Sequence, residues 1–128
     1  MFGILGFIFS NTLGDLFNPK DFKDSKSLLV IKNSTVDFTE KSCGTRISVI
    51  GTIRNNSEIP WENFNFEVQY YNEANELIDS VSDQNYDLLI LPNDESTFKV
   101  TGTAASSKDS YHHHKIIIKD AKANSSLF

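Results

Sequence analysis

The stretch ISVIGTIRNNSEIPWENFNFEVQYYN, residues 47 to 72, decides the fold because it contains two strands and the loop between them. Apolar residues or glycine occupy every second position of each arm: Ile47, Val49, Gly51 and Ile53, then Phe64, Phe66, Val68 and Tyr70. Successive side chains of a strand point to opposite faces, so each arm has one face to bury. Asn55, Asn56 and Ser57 favour a turn, and Pro60 is excluded from a central strand because it lacks a backbone donor. The stretch therefore predicts two antiparallel strands.

Gly51 lies inside an otherwise regular strand pattern. A glycine at such a position indicates a bulge, or the close approach of another backbone or of a large ring. Trp61 is our candidate for that ring.

Further segments with strand character lie on both sides of the central pair, at residues 28–32, 35–39, 77–82, 86–91, 97–103 and 113–119. Their short, even spacing without a strong helix between them is typical of an antiparallel sandwich. We expect an all-β, immunoglobulin-like antiparallel β-sandwich of about seven strands. The length of 128 residues fits one domain that buries its own core.

Several residues of this region resemble the FxLYD-type domain of bacterial and archaeal proteins. The matching residues are Val49, Gly51, Asn55, Ser57, Trp61, Phe66, Val68, Tyr70, Tyr71, Leu91, Pro92 and Phe98. The chain departs from the family pattern where Asn75 and Asn93 take the place of turn glycines, and asparagine tolerates positive φ well. The resemblance implies a sandwich similar to the late-embryogenesis-abundant type over residues 28–128, and it brings no catalytic residues with it.

Residues 1–27 form an apolar segment and a polar linker ahead of the sandwich. The apolar run of residues 2–9 is shorter than the ~20 residues that span a bilayer, and the segment lacks a basic region and a cleavage site for secretion. We therefore expect a cytoplasmic or peripherally membrane-associated protein. On a helix, one apolar stripe would present the candidate partner or membrane contacts Phe2, Leu5, Phe9 and Leu13.

No Lys or Arg precedes Lys20, which favours packing of the apolar segment against the domain over contact with a membrane surface. In the sandwich, Tyr71 points away from the predicted core face, so it is a further candidate for an exposed contact.

The charge distribution is uneven. The chain has 12 Lys and Arg against 17 Asp and Glu, a net charge of −5, which argues against general nucleic-acid binding. Residues 55–98 contain ten acidic residues and no Lys or Arg, so they predict an acidic portion of the surface. The single cysteine, Cys43, has no partner in the chain for a disulfide.

Two patterns are compatible with metal binding. Asp83, Asn85 and Asp87 match the opening of a calcium loop, but Leu88 stands where the sharp turn needs glycine, and a solvated acidic loop is the alternative. On a strand, His112 and His114 would share a face, but a metal site needs three or four ligands, and exposed edge-strand histidines are the alternative.

No spacing of nucleophile, base or phosphate-binding glycines indicates catalysis, and none calls for a cofactor. The sequence favours a non-enzymatic binding or adaptor module that docks on a protein partner or an envelope assembly, with the N-terminal segment as anchor or docking element. The alternative is a module that binds a divalent metal or a small ligand through its acidic face or histidines.

Overall fold

A computed structural model describes residues 22 to 124, which form six strands in two antiparallel sheets of three. A helical turn, α1 (Phe22–Ser25), and a 3-10 turn (Lys26–Leu28) come first. The strands are β1 (Leu29–Lys41), β2 (Gly44–Asn55), β3 (Trp61–Tyr71), β4 (Leu77–Ile90), β5 (Glu95–Thr103) and β6 (His113–Ala123), with a second 3-10 turn (Lys108–Ser110) before β6. The first sheet has the order β1-β2-β5 and the second β4-β3-β6, so the predicted all-β sandwich is confirmed.

There are six strands in this part of the chain because two pairs of predicted segments are continuous. The predicted segments 77–82 and 86–91 merge into β4, which ends at Ile90 and whose polar middle stays extended. The predicted segments 28–32 and 35–39 merge into β1, which begins at Leu29 and has a bulge between Ile31 and Asn33. The apolar N-terminal segment, with Phe2, Leu5, Phe9 and Leu13, lies outside the described residues.

The core follows the alternation of β2 and β3. The alternating apolar residues of both strands are buried, which confirms the predicted faces: Ile47, Val49, Ile53, Phe64, Phe66, Val68 and Tyr70. The rings of Phe66 in β3 and Phe98 in β5 stack between the sheets with centroids 4.6 Å apart. Each side chain buried in this way contributes about 1.5–3 kcal/mol relative to exposure.

Gly51 allows the close approach that its position predicted, but the ring involved is not that of Trp61. A Cβ at Gly51 would overlap the carbonyl oxygen of Asn33 and lie 2.9 Å from the Phe98 ring. Trp61 instead lies at one end of the sandwich, where its ring meets that of Phe22 edge-on at 6.1 Å. The assignment of Trp61 to Gly51 was therefore wrong.

Asn75 and Asn93 adopt φ values of 67° and 63°, so both asparagines do occupy turn positions suited to glycine. The acidic stretch, by contrast, does not make one uninterrupted surface. Strand β6 pairs with β3, so lysines of β6 lie beside carboxylates of β3. Lys119 Nζ, for example, is 3.7 Å from Glu67 Oε1. Between residues 22 and 124, no helix is long and apolar enough to cross a membrane.

Candidate functional site

The residues of the family-like motif form a buried polar cluster at one end of the sandwich. The Nδ2 of Asn55 donates to the carbonyl oxygens of Ile59 at 2.7 Å and Ile90 at 3.0 Å. Its Oδ1 accepts from the backbone N–H of Ser57 at 2.9 Å and from the Ser57 hydroxyl at 2.6 Å. Trp61 Nε1 donates to the same hydroxyl oxygen at 3.1 Å. Both donors and both acceptor positions of the Asn55 amide are thus used within the fold.

The backbone of Asn55 also holds the turn between β4 and β5. Its N–H donates to the carbonyl oxygen of Asp94 at 2.9 Å, and its carbonyl oxygen accepts from Asn93 N–H at 2.7 Å. Pro92 is a central residue of this turn and is half-buried. The cluster therefore stabilises the β2–β3 connection and the β4–β5 turn through hydrogen bonds from its polar atoms.

A second polar cluster, the Tyr111 cluster, lies at the opposite end and consists of Tyr70, Asp79 and Tyr111. The Tyr111 hydroxyl donates to Asp79 Oδ2 at 2.7 Å and accepts from Ser106 N–H at 3.1 Å. The same carboxylate oxygen accepts from Ala105 N–H at 3.0 Å. Burial, followed by the hydrogen bond to Asp79, raises the pKa of Tyr111. The cluster closes the end of the sandwich.

Tyr70 is buried against this cluster, and its ring meets that of Tyr111 edge-on at 5.2 Å. Burial raises its pKa strongly, and the nearby charge of Asp79 adds to the rise. Its hydroxyl has no hydrogen-bond partner among residues 22–124. The group therefore stays protonated and contributes chiefly through its ring.

The three consecutive histidines have different partners. His112 precedes β6 and its Nε2 lies 4.0 Å from Glu73 Oε1, whereas a 2.8 Å hydrogen bond joins His114 Nε2 to Ser34 Oγ. The ring of His113 stacks on that of Tyr71 at 5.0 Å. Burial, and secondarily the neighbouring His113, lowers the pKa of His114. The structure does not bring His112 and His114 to a common site.

The acidic pattern at residues 83–87 lies on strand β4, where a loop had been expected. Asp83 Oδ2 accepts from the backbone N–H of Thr101 in β5 at 3.1 Å. Asn85 Nδ2 donates to the carbonyl oxygen of Lys99 at 3.1 Å, and its Oδ1 accepts from Lys99 N–H at 3.4 Å. Asp87 is exposed. Across residues 22–124, no three His, Cys, Asp or Glu side chains are placed to hold a metal ion together.

These contacts protect the backbone edge of β5 on one lateral side of the sandwich, where β4 faces β5 and a polar depression of about 540 Å³ lies between the two strands. Side chains of β4 bind the free backbone edge of β5, and Val81 packs so closely on Gly102 that an added Cβ would lie 2.5 Å from Val81 Cγ1. Edge strands expose unpaired N–H and C=O groups that proteins commonly protect. This side is protected by its own side chains.

The other lateral side, between β1 and β6, has an apolar groove of about 430 Å³, which we name the β1/β6 groove. Its lining residues are Lys26, Leu29, Ile31, Lys115, Ile116, Ile117 and Ile118. Ile31 and Ile116 are half-buried and pack against the core, so the core reaches the surface here. Sequence reasoning did not predict the groove. A signal was present, because β6 contains three consecutive isoleucines where its neighbour β3 alternates apolar and polar residues. Such a run indicates a strand with apolar surroundings on both faces.

Two other depressions, of about 540 and 600 Å³, are lined mainly by polar and charged residues. Tyr71, the other candidate contact, is half-buried, and its hydroxyl donates to Gln69 Oε1 at 2.9 Å. The β1/β6 groove is therefore the strongest candidate binding surface in the described part of the chain.

Comparisons with known proteins do not indicate a family or a function for the chain, so a functional proposal rests on the geometry described above. No family model matches the chain, and neither the curated proteins nor the solved structures searched gave a match.

Proposed function

We propose that this chain is an FxLYD-type, non-enzymatic binding module that docks on a protein partner. The observation that supports this proposal is the difference between the two lateral sides of the sandwich. On the β4/β5 side, side chains of β4 bind the backbone of β5 and the depression there is lined mainly by polar residues, whereas the β1/β6 side presents an apolar groove between two strand edges. Among residues 22–124 nothing covers this apolar surface or pairs with the two strand edges beside it, and such a surface is suited to a protein segment.

The partner that fits the groove is an extended segment with apolar residues and a nearby carboxylate. An extended segment can hydrogen-bond to a free strand edge while alternate side chains enter the groove. The ammonium groups of Lys26 and Lys115 on the lining favour a carboxylate close to those apolar residues. Divalent-metal binding is the weaker candidate, because Asp83 and His114 are engaged in hydrogen bonds of the fold.

The proposal is tested by titrating labelled nine-residue peptides of alternating apolar and acidic residues, with fluorescence anisotropy as the readout. Two full-length forms are used, the wild type and a Phe9→Asp/Leu13→Asp variant, so that the titration also tests for competition by the apolar residues 1–17 of the same chain. We expect Ile116→Glu to weaken peptide binding at least about tenfold, since one buried apolar side chain is worth about 1.5–3 kcal/mol.

Leu77→Glu is the matched control, because Leu77 is an exposed leucine, 55% accessible, at the far end of β4 and outside the groove. Equal losses in the two variants would show that the groove is not the docking surface. Absence of binding to both full-length forms would rule out the proposal for this class of partner.

A further inference from the structure

We infer that residues 1–17 of the same chain occupy the β1/β6 groove and compete there with the partner. The inference rests on the proposed function and concerns the regulation of the same surface. It follows from where the described chain begins, from the length of chain that precedes it, and from the chemistry of that segment.

The described chain begins beside the groove. Strand β6 contacts α1, which starts at Phe22, and Lys26 in the following turn lines the groove together with Leu29 at the start of β1. The point at which the preceding residues join the described chain therefore lies on this lateral side of the sandwich, next to the β1/β6 groove.

The preceding segment is long enough to cover the groove. Leu13 is nine residues before Phe22, a distance of at most about 30 Å along an extended chain. The β6 part of the lining is only four residues, Lys115 to Ile118, or about 13 Å of strand. Residues 1–17 can therefore reach the whole groove and extend past it.

The chemistry of the segment matches the lining. Residues 1–17 are mainly apolar and carry Asp15 but no Lys or Arg, while the groove is formed by leucine and isoleucine with Lys26 and Lys115. A segment that lies on a membrane surface usually carries basic residues, which this one lacks. Gly3, Gly6 and Gly14 disfavour an isolated helix in the sequence of this segment, which favours docking on a surface.

If residues 1–17 occupy the groove, they compete with the partner for it within the same molecule. The apparent affinity of the partner is then reduced by the fraction of molecules whose groove is free. Anything that removes residues 1–17 from the groove, such as a binding partner for that segment, strengthens docking of the second partner.

Disulfide cross-linking in the full chain tests this arrangement. In a Cys43→Ser background, Ile116→Cys is combined in turn with Phe9→Cys, Leu13→Cys or Leu16→Cys, so that one register need not be assumed. The matched controls combine the same three changes with Leu77→Cys. We expect at least one Ile116 pair to close within single chains at least tenfold faster than its control, measured by non-reducing electrophoresis under mild oxidation.

Rates equal to the controls for all three pairs would overturn the inference. A disulfide formed mainly between two chains would overturn it as well, because a second copy's segment would then be the occupant. Quantitative flotation of the wild-type chain with vesicles of phosphatidylcholine and phosphatidylglycerol would also overturn it, since the segment would then lie in the membrane.

The peptide titration separates this inference from the proposed function. Peptide binding at least tenfold tighter to Phe9→Asp/Leu13→Asp than to the wild type supports the inference. Equal, groove-dependent binding to both forms overturns it and leaves the proposed function standing. Fast intramolecular cross-linking without peptide binding to either form supports occupation of the groove by residues 1–17, but overturns the proposed function and with it the competition.

Discussion

At the scale of single residues, buried polar groups in this fold differ in whether they have partners. The amide of Asn55 uses all of its donors and acceptors, whereas the hydroxyl of Tyr70 has no partner in the described part of the chain. A buried polar group with partners is costly to remove, and one without partners is costly to keep. This difference allows the two tyrosines of the Tyr111 cluster to be compared directly.

We expect Tyr70→Phe to leave stability unchanged or to raise it, because the lost hydroxyl makes no hydrogen bond within residues 22–124. Tyr111→Phe should lower the free energy of unfolding by about 1.5–3 kcal/mol, because it removes a hydrogen bond to the Asp79 carboxylate. Urea unfolding of both variants measures the difference. A larger loss for Tyr70→Phe than for Tyr111→Phe would contradict this description of the cluster.

The pKa of His114 makes stability depend on pH in a defined window. Burial lowers this pKa below its usual 6.5, so above pH 6.5 the histidine is neutral in both states. As the pH falls below 6.5, the unfolded chain takes up the proton first and the fold loses stability, until the folded-state pKa is reached. We expect His114→Gln to reduce this loss between pH 7.5 and pH 5, measured by urea unfolding.

His112→Gln is the control for that experiment, because the His112 side chain is 56% accessible and its Nε2 lies 4.0 Å from Glu73 Oε1. A pH dependence that is unchanged in His114→Gln, or reduced equally in both variants, would be inconsistent with the prediction. The measurement ends at pH 5, above the range in which Glu67 acts, since hydrogen bonds from Gln69 and Ser80 lower the pKa of that carboxyl below 4.5.

At the scale of elements, strand β4 shows what alternation could and could not predict. The buried faces of β2 and β3 followed from apolar residues at every second position. The middle of β4 is polar, so it was interpreted as a break between two strands and as an acidic loop. Its side chains bind the β5 backbone in place of solvent, and that pairing between separate elements leaves no apolar signal in the local sequence.

Asn85 should protect the β5 edge from association. We expect Asn85→Leu to lower the free energy of unfolding by about 1–3 kcal/mol, because it leaves the N–H and carbonyl of Lys99 without their side-chain partner. The exposed edge should also promote self-association, detected by size-exclusion chromatography with light scattering. Asp87→Leu adds the same side chain at an exposed position and should leave unfolding nearly unchanged.

If Asp87→Leu associates as strongly as Asn85→Leu, surface hydrophobicity would be the cause, and the protective role of the Asn85 amide would have to be abandoned. If Asn85→Leu unfolds like the wild type, the two hydrogen bonds to Lys99 add no net stability.

At the scale of the whole molecule, the features that local sequence reasoning missed depend on distant pairing. The β1/β6 groove joins residues 26–31 to residues 115–118, and the lysines of β6 meet the carboxylates of β3 through a pairing of segments about 50 residues apart. Period-two patterns identify a strand and its buried face, but they do not specify its neighbours in the sheet. The fold class was predictable for that reason, and the candidate site was not.

The full chain with Phe9→Asp and Leu13→Asp should keep a single cooperative unfolding transition, because the core that residues 22–124 form lies within residues 29–121. It should lose about 1–3 kcal/mol of stability if those side chains cover Ile31 and Ile116, as partial burial of apolar groups implies. Urea unfolding checks both points, with Leu77→Asp as the control. Loss of cooperativity would instead indicate that the N-terminal segment belongs to the main core. An unchanged free energy of unfolding would indicate that Phe9 and Leu13 do not cover Ile31 and Ile116.

The described part of the chain starts and finishes at the same end of the sandwich. Phe22 meets the ring of Trp61, and the N–H of Asn124 donates to the carbonyl oxygen of Pro60 at 2.9 Å, one residue before that tryptophan. Residues 22 and 124 are therefore near neighbours, and a short connector could join them. The two-residue turn between β1 and β2, at the far end, offers a place for new termini. The sandwich is thus suited to circular permutation, and to insertion as one unit into a surface loop of another protein.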